Sequence, residues 1–307
     1  MAVVRRLLVA DSDWTVDSPT LPDGRDMRRY LVAALAGAVP CIAAAAWYLG
    51  PRVLAAACVA FAAMAAVETA FGLVRRKPAG GGAFVYGILF ALMLPPATPM
   101  WMVAAGAAFG ALFGKEAFGG TGHHVFNPVL VGKAFLVFSY PSVATGHYLG
   151  SMLGFEAEGA WQACSALIVL GGVAVCVARP SNALALAGTL TAGAVTSYAL
   201  WALGSLPFDS PHEALLANGF LYGACFLACD PATCPGTHSG KLLHGFIVGS
   251  LAVVIRSMSN YHEGMLSAIL IANVFAPTIN MMGSSGISSN SDPGTPAYEG
   301  MPLRDEE

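Results

Sequence analysis

Apolar residues run along this chain in long stretches separated by short breaks rich in glycine and proline. A bilayer core about 30 Å thick needs roughly 20 apolar residues in one helix. Two early stretches, 30–49 and 53–74, meet that length. Shorter ones follow at 82–94, 100–114 and 127–141. Beyond an acidic loop the pattern resumes at 162–178, 183–204, 215–229, 242–257 and 264–282. The pattern predicts an all-α membrane protein with about ten transmembrane segments. Residues 1–29 read as a polar N-terminal arm and 30–282 as a single transmembrane domain. The tail 283–307, rich in Gly, Ser and Pro, is expected to be disordered.

The two halves repeat each other. Phe84, Tyr86, Gly87, Phe90, Pro95 and Pro99 each meet an identical residue 136 positions later, within 220–235. Repeat one covers about 30–141 and repeat two about 162–282. Five segments per repeat is an odd number, so the copies are expected to face opposite ways across the membrane. Short apolar segments broken by proline at matching places predict discontinuous helices and a central site between them.

Lys and Arg set the expected orientation. Arg5, Arg6, Arg25, Arg28 and Arg29 precede the first segment; Arg75, Arg76 and Lys77 follow the second. Lys115 follows the fourth and Arg179 the sixth, whereas the loops after the third, fifth and seventh carry neither residue. Both termini are thus expected in the cytoplasm of a multi-pass inner-membrane protein. The break at 95–99 then opens outward and the break at 231–235 inward.

Composition agrees with the bilayer as the solvent. Hydrophobic residues make up 56% and charged residues 11%, against about 25% charged in a soluble domain. A net charge of -3 argues against a nucleic-acid partner. The apolar run after Arg5 and Arg6 ends at Asp11, too soon for a signal peptide. The seven cysteines lie mostly in apolar runs and read as packing residues. Cys225, Cys229 and Cys234 lack a fourth neighbour, so no metal site is assigned.

Two polar clusters could carry chemistry. The first runs from Gly114, Lys115 and Glu116 through Gly119, Gly120 and Gly122 to His123, His124, Asn127 and Pro128. Its glycines let backbone N–H groups approach an anion or a flat ring; the alternative is a re-entry turn that merely needs glycine. Asn127 suits a helix N-cap and Pro128 the first turn. The second runs from Asp230 through Pro231, Cys234, Thr237, His238 and Ser239 to Lys241. Thr237 and Ser239 suit a polar ring edge or a ribityl chain; the alternative is a closed loop with an Asp230–Lys241 ion pair. Glu68, Glu116 and Lys133, in or beside spans, are candidates for an ion or quinone path. Arg75 and Arg76 are the expected neutralisers of Glu68. His147, His212 and His244 show no ligand spacing.

At these clusters the chain resembles a known family. The stretch Gly114 to Gly122, then Phe126, Asn127, Pro128 and Gly132 to Leu136, is similar to the B-type membrane subunit of the sodium-pumping NADH:quinone oxidoreductase. So are Phe226 to Pro231 with Gly240 and Lys241, and Tyr261 to Pro277. The D-type membrane subunit of the Rnf complex shares the pattern. The resemblance implies two inverted five-helix repeats and a flavin-binding subunit. It also implies electron transfer toward quinone coupled to Na+ or H+ pumping, with the other subunits of an Nqr- or Rnf-type complex as partners. Members carry Ser-Gly-Ala-Thr after the fifth segment, with FMN on the threonine. Here Ser142, Val143, Ala144 and Thr145 stand close behind Tyr140 and Pro141. The expected cofactor is therefore FMN or riboflavin held non-covalently near Asp230, Thr237, Ser239, Lys241, Gly119, Gly120 and Asn127, with Thr145 as the covalent candidate. The departure keeps a cofactor-free transporter or channel on the same fold as the alternative.

Overall fold

The computed structural model describes residues 24–76, 81–141, 160–205, 210–216, 219–258 and 264–284. Among these residues the structure is helical, with no strand. The first half holds α1 (Gly24–Leu49), α2 (Arg52–Arg75), α3 (Ala83–Leu92), α4 (Met100–Phe109) and α5 (Pro128–Ser139). The second holds α6 (Ala160–Ala178), α7 (Asn182–Ala202), α8 (Pro211–Leu216), α9 (Phe220–Tyr222), α10 (His238–Met258) and α11 (Gly264–Ser284). A π-turn, Gly110–Lys115, extends α4, and another, Gly223–Leu227, extends α9. Each predicted segment contains a helix. Five helices among the described residues are long and apolar enough to cross a membrane: Met27–Leu49, Arg52–Arg75, Asn182–Ala202, His238–Met258 and Gly264–Met282.

Local sequence explains the boundaries. α2 has no internal proline and stops at Arg76, whose left-handed backbone (φ 53°) turns its N–H back to the carbonyls of Gly72 and Leu73. Pro95 and Pro99 interrupt the path from α3 to α4; Pro231 and Pro235 do the same ahead of α10. α5 opens as expected: the Asn127 side chain accepts from Val129 N–H at 3.0 Å, and Pro128 sits in the first turn.

Packing follows the repeat. α1 lies against α6, the first helices of the two halves. α2 packs on α4 as α7 packs on α10, and α4 with its π-turn packs on α5 as α10 packs on α11. These seams are built from small residues that let backbones touch. A Cβ on Gly132 would lie 2.4 Å from the Gly106 carbonyl oxygen, and one on Gly249 2.2 Å from that of Thr189. Gly132→Val or Gly249→Val is therefore expected to pry its helix pair apart. Thermal unfolding in detergent should show a drop of several degrees, with an exposed control such as Val195→Leu unchanged.

The outer surface is apolar. Trp47, Val74, Phe138, Val195, Leu203 and Phe246 are exposed on separate parts of the bundle. With the five long apolar helices, this marks a multi-pass membrane protein.

Candidate functional site

The interior polar groups gather at the two broken helices. Asp230 stands at the second break, fully buried. Its Oδ2 accepts hydrogen bonds from Asn127 Nδ2 at 3.0 Å, from the Tyr86 hydroxyl at 3.2 Å and from His124 Nε2 at 3.2 Å. Its Oδ1 accepts from Ala232 N–H at 3.1 Å. The Gly122 N–H points at His124 Nδ1 (3.4 Å), which assigns the ring proton to Nε2, the nitrogen facing the carboxylate. Three side chains from the first half thus hold one carboxylate of the second.

The halves also grip each other through tyrosines. Tyr222, the repeat partner of Tyr86, donates to the Leu89 carbonyl at 2.9 Å, and Tyr30 donates to the Phe226 carbonyl at 2.6 Å. All three rings are buried, so these bonds fix the ends of both broken helices against the opposite half.

A second cluster surrounds Lys115, the last residue of the first π-turn. Its ammonium lies 2.9 Å from Glu68 Oε2, 3.2 Å from Thr121 Oγ1 and 3.5 Å from Glu116 Oε1. Glu68 Oε2 also accepts from Ala83 N–H at 3.2 Å, at the start of α3. Arg75 pairs with Glu116 Oε2 at 3.1 Å and donates to the Glu116 carbonyl. Two cations and two carboxylates balance in a nearly closed interior, which is how buried charge becomes tolerable. Among the described residues, Glu68 Oε1 has no hydrogen-bond partner. The glycine loop joins the clusters: Thr121 faces Lys115, while Gly122 and His124 face Asp230.

Several predicted residues meet here and others do not. Asn127 and Asp230 touch. Glu68 and Glu116 share Lys115, so Lys115 rather than Arg75 or Arg76 neutralises Glu68. Gly119 and Gly120 adopt left-handed backbone (φ 124° and 101°), and Gly120 lies beside Glu116. The Asp230–Lys241 pair considered from sequence gives way to the bonds above, and Lys241 donates to Ser181 Oγ at 2.6 Å. Thr237 is buried and uses its hydroxyl to receive Gly240 N–H at 3.0 Å. Ser239 is exposed, and Lys133 is buried within α5. Thr145 lies outside the described residues. Among the described residues, no group of three His, Cys, Asp or Glu could hold a metal ion. The sequence pattern assigned no partner to Tyr86 or His124; the duplication of Tyr86 at Tyr222 was the available signal for the first.

Fold and site together define a multi-pass membrane protein whose two broken helices meet at a buried carboxylate. The profile of the NQR2, RnfD, RnfE family matches residues 14–286, and the chain belongs to that family. It is similar to the B-type subunit of the Na(+)-translocating NADH-quinone reductase of Pseudomonas aeruginosa (strain LESB58). The two are 33% identical over 306 residues, covering 86% of this chain and 75% of that protein. The protein of the same name from Chromohalobacter salexigens is 34% identical over 249 residues, 69% of this chain and 61% of that protein. Its Yersinia pestis namesake is 32% identical over 251 residues, 68% of this chain and 61% of that protein.

Proposed function

We propose that the chain is a membrane subunit of a redox-driven, ion-translocating oxidoreductase complex, with the other subunits of an Nqr- or Rnf-type assembly as its partners. The observation that carries this reading is the convergence of Tyr86, His124 and Asn127 on Asp230 across the two halves, in a chain of this family. Ten spans in two inverted repeats, both termini in the cytoplasm and an inner-membrane location complete the reading. The matching helix order and matching seams of the halves support the repeats.

The residues present suit a flavin at the glycine loop. Gly119 is exposed and Gly120 and Gly122 are buried; a Cβ on Gly120 or Gly122 would meet nothing closer than 3.6 Å. Thr121 stands beside the loop with Arg75 and Lys115, the two cations already paired with Glu68 and Glu116, and Asn127 and His124 lie behind it. FMN or riboflavin bound there would supply one- and two-electron chemistry. The chain's own part is to orient the ring, exclude water and hold the His124 Nε2 proton against the Asp230 carboxylate. Glu68 and Glu116 lie one loop away, placed to respond to charge at the site, which is how ion movement would be coupled.

A cofactor-free transporter is the second reading, favoured by one observation: Asp230 Oδ2 is already saturated by the chain's own donors. The visible spectrum separates the two. Gently extracted, folded protein is expected to be yellow, to lose the colour on acid denaturation, and to copurify with further membrane subunits. A folded, colourless preparation that purifies alone overturns the redox reading. Colour that stays with the chain in acid and disappears in Thr145→Ala would move the attachment to Thr145.

A further inference from the structure

A third polar site lies apart from the two clusters, between α10 and α11. His244 is on α10 and Asn273 near the middle of α11, two of the long apolar helices. Both are buried, at 0% and 1% exposure, and the amide lies beside the imidazole. The amide is near enough to act on the ring, but no direct bond of good geometry joins them: among the described residues, His244 Nε2 and both polar atoms of the Asn273 amide lack a well-formed hydrogen bond. On the other ring edge, His244 Nδ1 faces the Cys234 thiol at 4.0 Å. Cys234 lies in the second proline break and is itself tied to Asp230, its N–H reaching the Asp230 carbonyl at 3.0 Å.

Three orphaned polar atoms from two helices, facing one seam, are unusual. Buried polar groups almost always find a partner, and orphans in one place point to a bound molecule.

We propose that His244 and Asn273 hold buried water between α10 and α11, making a hydrated, proton-exchanging site at membrane depth beside the inward break. Water matches the donor set: Asn273 offers two N–H donors and one acceptor, and the imidazole nitrogen serves as either. A buried water asks for two to four such partners. A hard cation asks for about six oxygens, and the seam offers one amide oxygen. The imidazole joins the water to the Cys234 thiol.

The test is an experimental map of the full chain in its complex, at a resolution that shows ordered water elsewhere, with a mutational cycle alongside. Density is expected within hydrogen-bond distance of both His244 Nε2 and the Asn273 amide. His244→Phe and Asn273→Leu should each lower the unfolding midpoint by several degrees, because each strands the remaining partner. The double variant should recover most of that loss. His244→Gln, which keeps a polar nitrogen, should retain the density. An empty seam in a map that resolves other waters overturns the proposal, as does a double variant whose loss equals the sum of the singles.

Discussion

Asp230→Ala is expected to be the most damaging single change in the chain. It removes the acceptor shared by Tyr86, His124 and Asn127, all buried, and frees Ala232 N–H as well. A stranded buried donor costs about 1–3 kcal/mol, and partial rearrangement limits the sum to roughly 3–5 kcal/mol. Asp230→Asn keeps one acceptor oxygen but turns an amide N–H toward other donors, so about half that loss is expected. Thermal unfolding in detergent reads both. Because the bonds join the two halves, limited proteolysis of Asp230→Ala should also release the halves from each other. An Asp230→Ala protein as stable as the parent would show that these bonds are not what holds the broken helices together.

The helix order was legible because apolar length is a strong signal and the duplication doubled it. Phe84 to Pro99 against Phe220 to Pro235 located both breaks without any geometry. The Asn127 cap was legible because its geometry is local. Ion-pair partners were not, because they are set by packing between distant segments. Glu68 shares α2 with Arg75, yet the π-turn swings Lys115 into contact with it from 47 residues on. Likewise Lys241 is closer to Asp230 in sequence than His124, which lies 106 residues away, but the second break turns Asp230 toward the other half. Spacing rules also undercounted what a buried histidine does: the partners of His124 and His244 come from other elements.

The Lys115 cluster gives the second large effect, and its sign depends on how it is broken. Lys115→Met leaves Glu68 and Glu116 facing each other with Arg75 alone to balance them. Breaking a buried pair in this way typically costs about 3–5 kcal/mol, because the abandoned charge cannot reach water. Glu68→Gln should cost less: its amide oxygen still accepts from Ala83 N–H and from Lys115, and Glu116 remains for the ammonium. The double variant Glu68→Gln, Lys115→Met restores the charge balance and should sit well above Lys115→Met in unfolding midpoint. A positive coupling in this cycle measures the pair itself, apart from the lost packing of the lysine stem. Additive losses would mean that Glu68 and Lys115 are neutralised separately. The proposed coupling of the glycine loop to ion movement through Thr121 would then lose its physical link.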